Sequence, residues 1–342
     1  VREEPQLGLF GALADDETRA TVDADAERLA KALPAHVRLG TSSWTFPGWK
    51  GLVYEGATQL PALTRHGLTA YAKHPLFRAV GIDRSYYAPL DAADLAGYAA
   101  ELPRGFPALS KVWDEATTFV FADHPRHGAR AGKKNARFLD PGLVTNEVLP
   151  AYTEAFAAHT GPFLFELPRV HDITATEQEE VLQALDRMLT ALPRTFTYAF
   201  ELRTPELLTP RYLDILRAHG AAHVLNFWTG MPDLALQMTV AGVLTAPFVV
   251  ARVMIPPGVR HDDAKAAFTP FDRIVTKQPG MRRDIAEHVD RPRRQQGGRL
   301  RPPHRPRHRR RGHRTHPALT YDAVTASRRS PSDPASTSTR LP

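Results

Sequence analysis

Glu201 and Arg203 stand two residues apart in the run Tyr198-Ala199-Phe200-Glu201-Leu202-Arg203. In a strand, that spacing puts both side chains on one side. A carboxylate beside a planar guanidinium can hold an anionic or hydroxyl-rich ligand through a forked set of donors. Glu166 closes a second apolar run, Phe163-Leu164-Phe165-Glu166. Two carboxylates at neighbouring strand ends can divide acid and base roles, as in glycoside hydrolysis. Lys111 can anchor a phosphate or carboxylate, or act as an amine nucleophile if desolvated. Glu201, Glu166 and Lys111 are therefore the candidate catalytic residues. Asp83, Arg203, Asn226 and Arg252 are polar candidates for ligand binding. Trp44, Tyr86 and Trp113 supply flat walls that suit sugar or base faces. The competing reading of each polar group is a structural ion pair, and of each ring ordinary rim packing.

Metal and cofactor chemistry has little support. The chain has no cysteine, which excludes thiolate ligands and a thiol nucleophile. Asp123, His124 and His127 form a near-cluster without helical spacing, so no metal is expected. No Gly-x-Gly-x-x-Gly turn or P-loop is present, and no cofactor is expected. Residues 115–145, which hold Arg126, Arg130, Lys133 and Lys134 together with Gly128 and Gly132, read as a mobile lid over the barrel mouth.

The elements that must place these residues alternate. Strands are expected at 37–42, 77–83, 107–112, 162–166, 195–201, 222–227 and 247–253. Helical periodicity lies between them, at 92–102, 146–159, 176–192 and 212–219, with further helical material at 262–290. The clearest stripe is Val181, Leu182, Leu185, Met188, Leu189 and Leu192. Thr174 to Glu177 and Thr176 to Glu179 both have capping-box spacing at its start. Repeated strand–helix units imply a parallel sheet. The expected fold class is α/β, a (β/α)8 TIM barrel with one strand not found; a doubly wound open sheet is the alternative. In a barrel, the candidate residues sit one per unit at the strand C-terminal ends and converge.

Charge divides the chain unevenly. The 342 residues carry a formal charge of +7. Residues 291–342 hold 14 arginines, no lysine, two aspartates and no glutamate, so the remainder is mildly acidic. That tail contains no Ile, Phe, Met or Trp and cannot offset its ordering entropy by burial. It is expected to be disordered and to replace the eighth strand and final helix. Three readings compete for it: a basic arm for nucleic acid, an inert tail, or translation in the wrong frame, which is favoured. Read one base out of register, the codons of Arg299-Leu300-Arg301-Pro302-Pro303-His304 permit an apolar run where strand eight belongs.

The order of short segments resembles the YecE-like family, domain of unknown function 72. Leu39-Gly40-Thr41-Ser42-Ser43-Trp44, followed by Trp49-Lys50-Gly51 and Tyr54, is similar to the family's opening. Gly81-Ile82-Asp83-Arg84-Ser85-Tyr86-Tyr87, Ser110-Lys111-Val112-Trp113, Phe165-Glu166-Leu167-Pro168, Phe200-Glu201-Leu202-Arg203 and Val250-Ala251-Arg252 follow in family order. The resemblance implies a TIM barrel of unassigned activity. The family's closing strand, with its Asn-Asn pair, has no counterpart here.

The expected organisation is an N-terminal helical arm (1–35), a barrel domain (36–290) and the tail (291–342). No run approaches the roughly 20 apolar residues of a membrane helix, and no apolar core follows Val1-Arg2-Glu3-Glu4. A cytoplasmic location is expected. The expected function is a polar pocket for a small anionic or polyhydroxylated ligand, as a hydrolase or lyase. The alternatives are a nucleic-acid-binding protein using the tail and lid, and a non-catalytic sensor.

Overall fold

Strict alternation shapes the centre of the molecule. In the computed structural model, which describes residues 17–289, six strands form one parallel sheet in chain order. They are β3 (Val80–Ile82), β4 (Ala108–Lys111), β5 (Thr160–Leu167), β6 (Tyr198–Leu202), β7 (Ala222–Phe227) and β8 (Val250–Val253). A separate antiparallel pair, β1 (Thr18–Ala20) and β2 (Tyr54–Gly56), lies ahead of them. Parallel neighbours need a crossover, and helical segments supply it. The chain is thus an α/β protein.

Six of the seven expected strand positions hold strands, and the first, 37–42, does not. Leu39 makes only an isolated parallel bridge to Phe77, and the Thr41 carbonyl accepts from the Gly81 N–H at 2.8 Å. Segment 39–41 therefore runs beside β3. Two glycines permit the approach. A Cβ on Gly40 would lie 2.2 Å from the Ala79 carbonyl oxygen, and one on Gly81 would lie 2.8 Å from Ser42 Cα. Among the described residues no strand follows β8 in this sheet. The tail, and with it the expectation of a frame error, lies outside the described residues.

The two faces of the sheet differ because side chains alternate. Phe163, Phe165, Phe200 and Leu202 enter the main core with Val181, Leu185 and Met188 of helix Ala175–Ala191 and Leu213 and Leu216 of helix Pro210–His219. The Phe165 and Phe200 rings stack at 4.7 Å. On the other face Leu164, Ala199, Ala222 and Val224 form a small cluster with Leu109, Phe248 and Val250. This inner layer is apolar at mid-strand, and the candidate polar residues follow two positions later.

Helix ends obey local chemistry. Thr174 and Glu177 close a full capping box, so the Thr176–Glu179 spacing falls inside the helix. Gly220 ends helix Pro210–His219 at φ +67°, a conformation that suits glycine. The helix expected over 146–159 divides into a wide π-turn at Val144–Val148 and helix Leu149–Ala155. Pro150 has no N–H to give the preceding turn, which accounts for the widening. Helix Leu60–Lys73 and the β1–β2 pair were not foreseen. β1 also breaks the expected helical arm, leaving helix Ala24–Ala32 within it.

The expected lid is anchored. Val120 bridges to Lys134, the Phe121 N–H bonds the Lys133 carbonyl at 3.0 Å, and Phe119 and Phe121 are buried. The Asn135 side chain donates to the Glu115 and Thr118 carbonyls at 2.7 and 3.0 Å. Burial of two phenylalanines outweighs the loop's polar composition.

Candidate functional site

Each strand delivers its polar residue at the same height. Leu109, Leu164, Ala199, Val224 and Val250 face inward; Lys111, Glu166, Glu201, Asn226 and Arg252 stand two residues further on. Parallel register aligns them: Glu166 is paired with Glu201, and Asn226 with Arg252. Asp83 lies just beyond β3 and Arg203 just beyond β6.

The result is one continuous cluster. Lys111 Nζ lies 3.4 Å from Asp83 and 3.2 Å from Glu166. Glu166 Oε2 also meets Arg203 at 3.1 Å and Arg252 at 2.8 Å. Glu201 pairs with Arg203 at 2.8 Å and makes a very short contact with Arg252. The Asn226 amide donates to the Leu202 carbonyl at 2.7 Å and to Glu201 at 3.4 Å. Three carboxylates thus face three cations.

Burial grades the cluster. The Glu201 side chain is 0 % exposed, Glu166 16 % and Asp83 34 %. Removing carboxylates from water raises their pKa, and nearby cations oppose that. At Glu166, burial pushes upward, but the Arg203, Lys111 and Arg252 charges prevail and hold the carboxyl far below its usual range. At Asp83, burial prevails over Lys111 and Arg252, so its pKa is raised. For Arg252, burial favours deprotonation, but Glu201, Glu166 and Asp83 outweigh it and keep the guanidinium charged.

Aromatic rings flank the cations. Lys111 Nζ sits 5.1 Å from the centre of the Tyr86 ring. The Arg203 guanidinium lies 3.8 Å over Trp228, and its Nη2 is 3.3 Å from Met254 Sδ. Trp113 is half-buried with Arg137 at 5.7 Å. Trp44 is packed in the main core, edge-on to Tyr98 at 5.2 Å, with its carbonyl accepting from Tyr54 Oη at 2.6 Å. The structure therefore brings Tyr86 to the cluster and takes Trp44 into the core.

Three contributors escaped the sequence reading. Trp228 directly follows Phe227, the last residue of β7, and so had the same signal as Trp113 after Val112. Met254 follows β8 in the same way. Gln237 had no signal. It is fully buried, donates to the Asn226 carbonyl at 2.7 Å and accepts from the Asn226 N–H at 3.3 Å, which fixes the residue that holds Glu201.

Other features stand apart. Arg130 pairs with Glu115 at 2.6 Å, and Lys134 with Glu180 at 2.6 Å and Glu177 at 3.5 Å. Two surface hollows, of about 440 and 640 Å³, share no residue with the cluster. No helix among the described residues is long and apolar enough to cross a membrane.

The family model described as "Protein of unknown function DUF72" matches residues 38–290. The chain belongs to the DUF72 family. The chain is similar to solved DUF72 structures. One from Enterococcus faecalis V583 is 17% identical, with 75% of this chain and 84% of that chain covered at a TM-score of 0.50. Another, from Thermotoga maritima MSB8, is 16% identical, with 75% and 89% covered at a TM-score of 0.49. No curated protein matches the chain. The DUF72-like segments of the sequence fall in order on segment 39–41, β3, β4, β5, β6 and β8, and five of them carry Asp83, Lys111, Glu166, Glu201, Arg203 and Arg252 to the cluster.

Proposed function

We propose that this DUF72 protein binds a small polyhydroxylated or anionic ligand at the C-terminal ends of β3 to β8 and acts on it as a hydrolase or lyase. The observation that carries the reading is the Asp83–Lys111–Glu166–Arg203–Glu201–Arg252 cluster on one concave face. Six ionisable groups drawn from five strand ends are costly to assemble and desolvate. Such density of charge, next to half-buried aromatic rings, is typical of sites that handle polar ligands.

In this reading Glu166, kept ionised by its three cations, accepts a hydrogen bond from a ligand hydroxyl. Asp83, whose burial favours the protonated form, is the group that carries a proton. Lys111 lies between them and couples their charges. Glu201 reaches no solvent, so its part is to orient Arg203 and Arg252. Tyr86 and Trp113 complete the lining, and Asn226, itself fully buried, holds Glu201.

The scaffold is read as the larger arc of a (β/α)8 barrel. Support comes from the sequential parallel order, from segment 39–41 beside β3, and from a contact joining the two sides of the gap. Phe46 follows that first segment and Phe271 follows β8; their rings meet edge-to-face at 6.3 Å.

Thermal melting with a panel of sugars and small organic acids tests the reading. A stabilising ligand is expected whose effect is lost in both Glu166→Gln and Arg203→Met. Stabilisation that persists in both variants removes the cluster from the site.

A further inference from the structure

We infer that the site takes a polyhydroxylated acid, a sugar-like molecule bearing a carboxylate or phosphate, with its oxyanion on the Nε–Nη2 edge of Arg252 and a hydroxyl on Glu166 Oε1. The inference rests on the pocket reading above and narrows it to one ligand class.

The distribution of contacts within the cluster leads to it. Lys111, Arg203 and Arg252 all bind Glu166 through the same oxygen, Oε2. Oε1 stands outside these contacts and keeps its acceptor capacity. Arg252 meets both Glu166 and Glu201 through Nη1. Its Nε and Nη2 form the other edge of the fork, and that edge matches an oxyanion in bidentate geometry. The Arg203 ion pairs and its sulfur contact all use Nη2, while its Nε is buried with no acceptor. What the cluster still offers is Glu166 Oε1, Asp83 Oδ1 and the second edge of the Arg252 guanidinium.

Charge and shape agree with that offer. Glu201 is sealed from solvent, so it presents no oxygen to a ligand. Burial favours the neutral form of Asp83. Both carboxylate contacts of Arg252 run through Nη1, so an anionic group meets donors on its other edge that the three carboxylates leave unused. Tyr86 and Trp228 stand against Lys111 and Arg203. Their rings give the apolar surface that sugar C–H faces need.

The test is calorimetric titration of the full chain with glucose, glucuronate, glucose 6-phosphate and inorganic phosphate. Glucuronate or glucose 6-phosphate is expected to bind at least about tenfold more tightly than glucose, the gain of one bidentate charge-assisted contact. Whichever acid is tighter identifies carboxylate or phosphate as the oxyanion. Arg252→Lys keeps the charge but removes the fork, and is expected to erase the preference. Glu166→Gln is expected to weaken all three sugars alike. Circular dichroism checks that both variants fold, and the comparison on the unaltered chain needs neither. Glucose binding as tightly as both acids overturns the inference, as does a preference that survives in Arg252→Lys. Inorganic phosphate binding as tightly as glucose 6-phosphate overturns its polyhydroxyl half. Glucose binding alone, lost in Glu166→Gln, overturns it and leaves the pocket reading standing. Binding of none of the four overturns both.

Discussion

Arg252 on β8 and Glu166 on β5 meet at 2.8 Å, although two strands lie between theirs in the sheet. Three strand spacings amount to about 14 Å in a flat sheet. Curling of the sheet brings inward-facing side chains together, as it does in barrels. The same curl lets Glu201, on β6, touch Arg252 while sitting beside Glu166 in register.

Glu201→Gln removes a fully buried charge from between two arginines. The variant is expected to lose about 3–5 kcal/mol of stability, because Arg203 and Arg252 keep their charges without their buried partner. Urea unfolding monitored by circular dichroism reads this directly. Glu166→Gln, at a partly exposed position, is expected to cost less. An unchanged midpoint for Glu201→Gln contradicts the assignment of Glu201 as the anchor.

Gln237→Ala acts through Asn226. The Gln237 amide donates to the Asn226 and Pro232 carbonyls, both at 2.7 Å, and the substitution leaves buried groups without partners. A loss of about 1–3 kcal/mol is expected. If the chain from Gln237 to Asn226 to Glu201 holds the cluster, ligand stabilisation falls as well. A variant with reduced stability but unaltered ligand affinity shows that Gln237 serves the fold alone.

Gly40→Ala tests the placement of segment 39–41. Its new methyl would meet the Ala79 backbone at 2.2 Å, where no side chain can move aside. Segment 39–41 must shift away from β3, at a cost of about 1–3 kcal/mol. Hydrogen exchange at the Gly81 amide, which bonds the Thr41 carbonyl, is expected to accelerate beyond the global change.

His223 gives the fold an acid-sensitive element. It is buried on the outer side of β7, with Nδ1 3.3 Å from Tyr212 Oη and Nε2 lacking a partner. Burial lowers its pKa from 6.5 to about 4. The unfolded chain therefore binds this proton more readily. The stability it contributes is complete above pH 6.5 and is lost as pH falls towards 4, on the order of 3 kcal/mol. His223→Leu is expected to flatten the decline in unfolding midpoint across that interval. An equally steep decline in the variant places the acid sensitivity elsewhere.

The strand positions were legible because inward and outward residues alternate through Phe163-Leu164-Phe165-Glu166-Leu167 and Tyr198-Ala199-Phe200-Glu201-Leu202. The helices were legible where caps and stripes coincided, as between Thr174 and Leu192. Helix Leu60–Lys73 was missed because His66 and Gly67 interrupt its stripe and no side chain caps its start. β1 and β2 were missed because three residues carry no period. The lid expectation gave polar residues too much weight and Phe119 and Phe121 too little.

Sequence alone determined the parallel order, the residue that ends each strand, and the two-residue step from an apolar inner layer to a charged one. Those follow from covalent alternation and from the crossovers that parallel strands require. Tertiary structure decided which of these residues meet. Curl joined β8 to β5, depth sealed Glu201 but left Glu166 and Asp83 within reach of water, and packing took Trp44 into the core while laying Arg203 over Trp228. Distances across a curved sheet and the water left around each carboxylate depend on how all the strands bend together, and no local pattern of residues encodes that.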